Sequence, residues 1–237
     1  MYDAQAHRFK ALLFLMNKTK KITTYLTKWR PHMKRRSLIL NASLVFALAL
    51  SACTTAPSGP GWTTLIDGGN GLDNWNVVGD ANWRVQDGAI VADKGTAGFL
   101  VSKNAYKDFT IYAEFWAATD TNSGIFIRIT DPKKIGADSA YEVNIWDIRP
   151  DPSYGTGAIV NFAKVPVPIA NKAGGQWNVM EVIAQGTSLT VKLNGVTTST
   201  VQDSKFHSGP FALQFGPGVN NATGGPIKWR KVMIKPN

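Results

Sequence analysis

Carboxylate, amide and aromatic side chains alternate with apolar residues along one segment near the middle of the chain. Between positions 141 and 146, Glu142, Asn144 and Trp146 occupy every second position. Because successive side chains of a β-strand point to opposite faces of a sheet, these three would share one face. Flat rings can pack against the C–H groups of a sugar, and carboxylates and amides can bind its hydroxyl groups. This pattern is typical of a saccharide-binding surface.

Two earlier segments, 109–116 and 122–128, repeat the alternation. Their polar or aromatic positions are Tyr112, Glu114 and Trp116 in the first segment and Asn122, Phe126 and Arg128 in the second. We expect the three segments to be neighbouring strands whose mixed faces form one cleft. The alternative is that the aromatic rings pack under a loop and that Glu–Arg pairs connect the strands, which is common in sheets.

The elements that must position these residues are predicted to be strands throughout 62–237. Runs of β-branched and aromatic residues recur between Gly, Asn and Asp, and Asp87-Gly88 and Asn194-Gly195 indicate hairpin turns. A further strand is predicted over 158–162. No window sustains the apolar period of a helix. About ten or more short strands in one domain indicate an all-β, two-sheet antiparallel jelly-roll sandwich.

The N-terminal region has the pattern of an export signal. Residues 34–36, after Met33, are basic, an apolar run follows over 37–52, and Leu-Ser-Ala precedes Cys53, the only cysteine. A cysteine at this position resembles the bacterial lipobox, in which the thiol receives a diacylglycerol. The alternative is an ordinary signal with a coincidental cysteine. Residues 1–32 then lie upstream of the true initiator Met33 or extend the basic region, and 53–61 form a flexible tether.

The signal explains most of the positive charge. The chain carries a formal net charge of +10, but residues 1–36 hold ten Lys or Arg and one acid. The remainder has 16 basic and 15 acidic residues, so no nucleic-acid partner is expected. The expected partners are a carbohydrate and a membrane, the latter through lipid on Cys53. Thr54, rather than an aspartate, follows the cysteine and resembles outer-membrane sorting, with the domain facing the periplasm.

The domain resembles the 3-keto-disaccharide hydrolase family, whose fold is the concanavalin A-like jelly roll. The matching segments include Trp83-Arg84-Val85-Gln86-Asp87-Gly88, Asn122-Ser123-Gly124-Ile125-Phe126-Ile127-Arg128 and Tyr141-Glu142-Val143-Asn144-Ile145-Trp146-Asp147. Further matches, in the same order as in the family, lie at 62–68, 72–75, 106–110, 114–115, 156–159, 175–178, 193–195 and 209–214. The resemblance covers nearly the whole domain.

The resemblance implies action on glycosides oxidised at C3, by hydrolysis or by elimination. Such cleavage needs a base and a group that stabilises an oxyanion. Glu142 and Glu114 are the candidate bases, and Arg128 is the candidate electrostatic partner. The residues expected to contact the sugar are Tyr112, Trp116, Asn122, Phe126, Asn144, Trp146 and Gln214. The alternative is a carbohydrate-binding lipoprotein that uses the same concave face without catalysis.

Two departures from related patterns bear on the chemistry. Family members commonly carry a histidine after the Leu-Gln near the end, where this chain has Phe215, and His207 is expected at the surface. Glu142, Asn144 and Asp147 also have the spacing of the carboxylates of laminarinase-type glycosidases, but Asn144 cannot transfer a proton. No cluster has the spacing of a metal site, so the sequence identifies no cofactor and leaves a divalent metal open.

Overall fold

The computed structural model describes residues 55–237, which form thirteen strands and three short 3₁₀ turns. The strands are β1 (Thr63–Asp67), β2 (Trp75–Gly79), β3 (Arg84–Gln86), β4 (Ala89–Ala92), β5 (Gly98–Ser102), β6 (Phe109–Ala117), β7 (Ser123–Ile127), β8 (Tyr141–Ile145), β9 (Trp177–Gln185), β10 (Ser188–Leu193), β11 (Val196–Gln202), β12 (Ala212–Phe215) and β13 (Ile227–Pro236). The 3₁₀ turns are Leu72–Asn74, Pro152–Tyr154 and Val219–Asn221.

The strands form two antiparallel sheets, as the sequence predicts. The eight-stranded sheet has the order β11-β10-β9-β6-β13-β4-β3, and β1 pairs with β13 beside β4. The five-stranded sheet has the order β2-β5-β12-β7-β8. Every pairing between strands is antiparallel. This arrangement is the predicted jelly-roll sandwich.

The apolar half of each alternating strand builds the core between the sheets. Phe109, Ile111 and Phe115 of β6 are fully buried there, as are Ile125 of β7 and Val143 of β8. Fully burying a large apolar side chain contributes about 1.5–3 kcal/mol, so the period-2 pattern of these strands fixes which face turns inward. The alternate residues of these strands, which are polar or aromatic, therefore lie on the outer faces of the two sheets.

The predicted hairpin turns are present, with positive φ angles at Asp87, Gly88, Asn194 and Gly195. These angles match the tight turns that join antiparallel strands. The strand predicted over 158–162 is wrong. Ile159 makes only isolated bridges to Val143 and Ala163, because the segment turns back on itself beside the edge of β8.

The N-terminal predictions lie outside the described residues. These are the export signal over 33–52, the upstream segment 1–32 and the lipid site at Cys53. Within residues 55–237, no helix is long and apolar enough to cross a membrane.

Candidate functional site

The predicted site residues other than Arg128 lie on two opposite outer faces of the sandwich. Tyr112, Glu114 and Trp116 belong to β6, which is in the eight-stranded sheet. The others lie on, or next to the ends of, β7, β8 and β12 of the five-stranded sheet; they are Asn122, Phe126, Arg128, Glu142, Asn144, Trp146 and Gln214. The expectation of a single cleft shared by all three segments is therefore wrong. The core separates the two groups.

Glu114 is engaged on the eight-stranded face. Its Oε2 atom accepts a hydrogen bond from Nε of Arg230 at 2.6 Å, and its Oε1 accepts one from the hydroxyl of Tyr112 at 2.9 Å. The structure thus brings Glu114 together with an arginine, but the arginine is Arg230 rather than Arg128.

Arg128 does not share the face of Glu142, because β7 ends at Ile127 and Arg128 has a φ of 54°. Its side chain is 2% exposed and donates to the carbonyl oxygens of Lys107, Phe206 and Gly186 at 2.9–3.2 Å. It also pairs with Asp108. A guanidinium satisfied in this way connects loops at one end of the sandwich. The expectation that it acts on Glu142 fails for this reason.

Three amides converge on the outer face of the five-stranded sheet. The side-chain oxygens of Asn122, Asn144 and Gln214 are buried and have no hydrogen-bond partner in the described chain. The amide nitrogens of the two asparagines are occupied, since they donate to the carbonyl oxygens of Pro217 and Tyr154 at 2.6 Å. A buried acceptor left unpaired costs about 1–3 kcal/mol. Three of them on one face indicate a site for a ligand that donates hydrogen bonds.

Gly124 lies between these amides. It pairs with Asn144 across β7 and β8, and a Cβ atom placed on it would lie 3.6 Å from Oε1 of Gln214 and 2.8 Å from the carbonyl oxygen of Val143. Because Gly124 has no side chain, the backbone of β8 approaches it more closely than it could approach an alanine. Beyond it, Pro217 borders a cavity of about 340 Å³ lined by Gly95, Thr96, Ala97, Pro217, Asn221, Ala222 and Thr223.

Glu142 of β8 places a carboxyl group on this face. It lies opposite Phe126 in the register of β7 and β8, and its carboxyl group has no hydrogen bond or ion pair among residues 55–237. Burial raises the pKa of Glu142 to about 7, against an opposing effect of the positive charge of Arg149. A carboxyl group with this pKa can accept a proton near neutral pH.

Phe126 forms part of a small apolar cluster on the same face. It is 1% exposed and contacts Phe99 edge-on, with ring centroids 5.4 Å apart. The cluster consists of Val101, Phe126, Ile129, Ala140 and Ala212, with Val78, Phe99 and Ile135 packed against it. For Phe126, the structure therefore matches the alternative that the rings pack under a loop, since Ile135 belongs to the loop that follows β7.

Trp146 and Arg149 follow β8 and extend the face. The guanidinium carbon of Arg149 lies 5.6 Å from the centre of the Trp146 ring system, and the indole N–H of Trp146 is buried without an acceptor. Sequence reasoning missed Arg149. The available signal was its position three residues after Trp146, in the segment that leaves the alternating strand.

Asp147 holds the long loop that joins β8 to β9. Its carboxylate accepts hydrogen bonds from the hydroxyl of Thr156 at 2.6 Å and from the backbone N–H groups of Ala173 and Gly174 at 2.8–3.1 Å. The hydroxyl oxygen of Thr156 in turn accepts a hydrogen bond from the backbone N–H of Trp146. Because Asp147 is occupied in this way, the laminarinase-like spacing does not supply a second acid here. Asp147 instead fixes where Trp146 and Arg149 leave the sheet.

His207 is exposed, as the sequence predicts. No group of three or more His, Cys, Asp or Glu side chains able to hold a metal ion occurs in the part of the chain that the structure describes. The acceptor atoms of the site are instead amide oxygens and one carboxylate.

Comparisons with known proteins agree with this architecture. Residues 61–235 match the model of the 3-keto-alpha-glucoside-1,2-lyase-like domain. A crystal structure of a candidate glycosyl hydrolase from Parabacteroides distasonis has a TM-score of 0.58 at 23% identity, covering 74% of this chain and 99% of that one. A second from the same organism has a TM-score of 0.54 at 19% identity, covering 75% and 89%.

The carbohydrate recognition domain of Emp47p has a TM-score of 0.50 at 15% identity and covers 77% of this chain and 100% of that one. These identities are low, so the three structures establish the fold alone. No curated protein matches the sequence.

Proposed function

The chain belongs to the family of 3-keto-alpha-glucoside-1,2-lyase-like domains, and on that premise we propose that it binds and cleaves 3-keto-glycosides on the outer face of the five-stranded sheet. The observation that carries the proposal is the Glu142 carboxyl group. It has no hydrogen bond or ion pair among the described residues and a pKa of about 7, and it shares its face with the unpaired amide oxygens of Asn122, Asn144 and Gln214.

The proposed reaction begins at C2 of the oxidised sugar, where the neighbouring C3 ketone acidifies the C–H bond. The carboxylate of Glu142 takes this proton, and the electron pair of the C–H bond forms an enolate whose charge lies on the C3 oxygen. The enolate re-forms the ketone as a C1–C2 double bond is made and the C1–O bond breaks. The departing oxygen takes a proton from Glu142 or from water. Subsequent addition of water to the double bond would give net hydrolysis.

The neighbouring groups have matching roles in this proposal. The indole N–H of Trp146 and the charge of Arg149 stabilise the enolate oxygen. In the proposed complex, the three unpaired amide oxygens accept hydrogen bonds from sugar hydroxyls. Each such bond removes the penalty of an unpaired buried acceptor.

The test is a comparison of 3-keto-glucosides with their parent glucosides, followed by release of the leaving group and by the absorbance of the unsaturated ketone. We expect turnover of the oxidised sugars alone. Turnover of the parent glucosides alone would contradict the proposal, because a mechanism through C2 deprotonation requires the ketone.

The second candidate function is carbohydrate binding without catalysis. The observation that favours it is Phe215, which stands where family members commonly carry a histidine. Binding of both sugar forms without turnover of either would support this function.

We also propose that the protein is anchored in the bacterial cell envelope by lipid on Cys53, with the domain in the periplasm at the outer membrane. The basic and apolar segments before Cys53 and the residue Thr54 after it support this. A short tether to residue 61 would keep the domain near the bilayer.

A further inference from the structure

Two tryptophans and two cations form a row across the outer face of the eight-stranded sheet, opposite to the candidate site. Trp116 of β6 and Trp177 of β9 face each other in the strand register, and Lys228 of β13 faces Trp116 from the other side. Arg230 lies at the bulge of β13. We call Trp116, Trp177, Lys228 and Arg230 the tryptophan row.

Each indole ring is covered on one side by a cation. Nζ of Lys228 is 4.8 Å from the centre of the Trp116 ring system, and Cζ of Arg230 is 4.2 Å from that of Trp177. Glu114 fixes Arg230 in this position through the 2.6 Å bond to its Nε atom. The row is therefore preorganised before any ligand arrives.

Parts of the tryptophan row remain exposed or without a counter-charge. Trp177 is 38% exposed, and the side chain of Arg230 is 45% exposed. Lys228 has no carboxylate within 4.0 Å among residues 55–237. If the cation–ring contacts served only to stabilise the sheet, the indole of Trp177 would not need to be exposed and Lys228 would not need to lack a counter-charge. These two features point to a ligand that has both an apolar surface and negative charge.

We propose that the tryptophan row is a second carbohydrate-binding surface, separate from the catalytic face, and that it takes an acidic polysaccharide whose pyranose rings carry carboxylates. Neighbouring strands are about 4.8 Å apart, so a ring and the cation beside it can contact one sugar unit together. The C–H face of the sugar packs on the exposed part of Trp177. Carboxylates pair with Lys228 and with the free donors of Arg230.

A membrane surface is the competing ligand, because Trp, Lys and Arg are also common at lipid interfaces. Membrane-binding aromatics project from a surface so that they can enter the bilayer boundary. Here Trp116 is only partly exposed, and both rings stand on the middle strands of a sheet under their cations. This geometry favours a chain that lies along the sheet.

The test is affinity electrophoresis of the full chain in native gels that contain polygalacturonate, with neutral dextran as the control polymer. We expect polygalacturonate alone to retard the protein, and retardation to weaken at high salt. Trp177→Ala and Lys228→Ala should each weaken binding about tenfold, the scale typical of a central contact residue. Lys133→Ala removes an exposed lysine from the loop before β8 and should leave binding unchanged.

Several results would overturn the proposal. One is no retardation of the wild type by polygalacturonate, and another is equal retardation of wild type and Lys228→Ala. A third is unchanged polysaccharide binding by Trp177→Ala with weaker binding to anionic phospholipid vesicles, which would assign the row to the membrane. These outcomes do not depend on turnover of keto-glycosides, because Trp177 and Lys228 lie on the opposite sheet.

Discussion

Glu142 and Phe126 face each other across β8 and β7, so a carboxyl group with no hydrogen bond or ion pair among residues 55–237 lies beside an almost fully buried ring. The apolar neighbour limits hydration of the charged form and contributes to the raised pKa of about 7. Arg149 limits this rise through its positive charge. The two opposing influences hold the pKa of Glu142 close to neutral pH.

Replacing Glu142 with glutamine is expected to reduce turnover of 3-keto-glycosides at least about 100-fold while binding is retained, the scale for loss of a general base. Glu114→Gln is the matched control, since Glu114 lies on the opposite sheet and pairs with Arg230. Steady-state kinetics and calorimetric binding measure the two effects. A loss of turnover in the Glu114 variant with normal activity in the Glu142 variant would reverse the assignment.

Arg149→Ala is expected to raise the pKa of Glu142 above about 7, because the arginine charge favours the ionised carboxylate. The base is active when ionised, so kcat/KM should rise with pH through this pKa. The midpoint of the rise should move to higher pH in the variant. Lys164→Ala, which removes a cation stacked on Tyr154, serves as control. An unchanged midpoint in Arg149→Ala would argue against control of Glu142 by this arginine.

Phe126→Ala is expected to lower the free energy of unfolding by about 3–5 kcal/mol, because it empties part of a buried apolar cluster. Trp146→Ala should cost only about 1 kcal/mol, since this ring is partly exposed. The same Trp146 variant should bind sugar more weakly. Urea denaturation together with binding measurements separates the two roles, and a large stability loss in Trp146→Ala would place that ring in the core.

Asp147→Ala is expected to destabilise the protein by about 3 kcal/mol, because the backbone N–H groups of Ala173 and Gly174 lose their acceptor. It should also raise KM more than it lowers kcat, because the backbone that positions the Trp146 and Arg149 side chains is no longer held by Asp147 and Thr156. Asp151→Ala is the milder comparison, because Asp151 caps only the exposed turn at Ser153 and a lost cap costs about 1 kcal/mol. Equal effects of the two substitutions would contradict a special role for Asp147.

Cys53→Ala is expected to abolish incorporation of labelled fatty acid in the bacterial host and to release the protein from the membrane fraction. Each buried CH₂ group of a lipid chain contributes about 0.8 kcal/mol to anchoring, so loss of the chains removes the attachment. Absence of labelling in the wild-type protein would show that Cys53 is not lipidated.

The face assignments of single strands could be predicted from the sequence, but the sheet to which each strand belongs could not. Alternation correctly placed Phe109, Ile111 and Phe115 in the core and Glu114 outside it. It gave no information on pairing, which depends on distant segments. Because β13 and β9 flank β6 while β12 and β8 flank β7, the consecutive strands β6 and β7 belong to different sheets.

The positions of the Arg128 and Arg149 side chains could not be predicted from the alternation either. Alternation placed Arg128 with Glu142 on the assumption that β7 continues, whereas its left-handed backbone turns the side chain towards carbonyl groups of three loops. Arg149 lies after the last alternating residue, where period-2 reasoning no longer applies. In both cases the deciding contacts are made with loops whose conformation is set by tertiary packing.

Gly124 has a consequence for altering this protein. Its backbone does not have the positive φ that would demand glycine, yet an added Cβ would press on the carbonyl oxygen of Val143 and reach the Gln214 amide. The close approach of β7 to β8 beside Asn144 therefore depends on an absent side chain. A methyl group at this position would push the two backbones apart and displace the Asn144 and Gln214 amides, although every polar and ionisable residue of the site keeps its chemical identity.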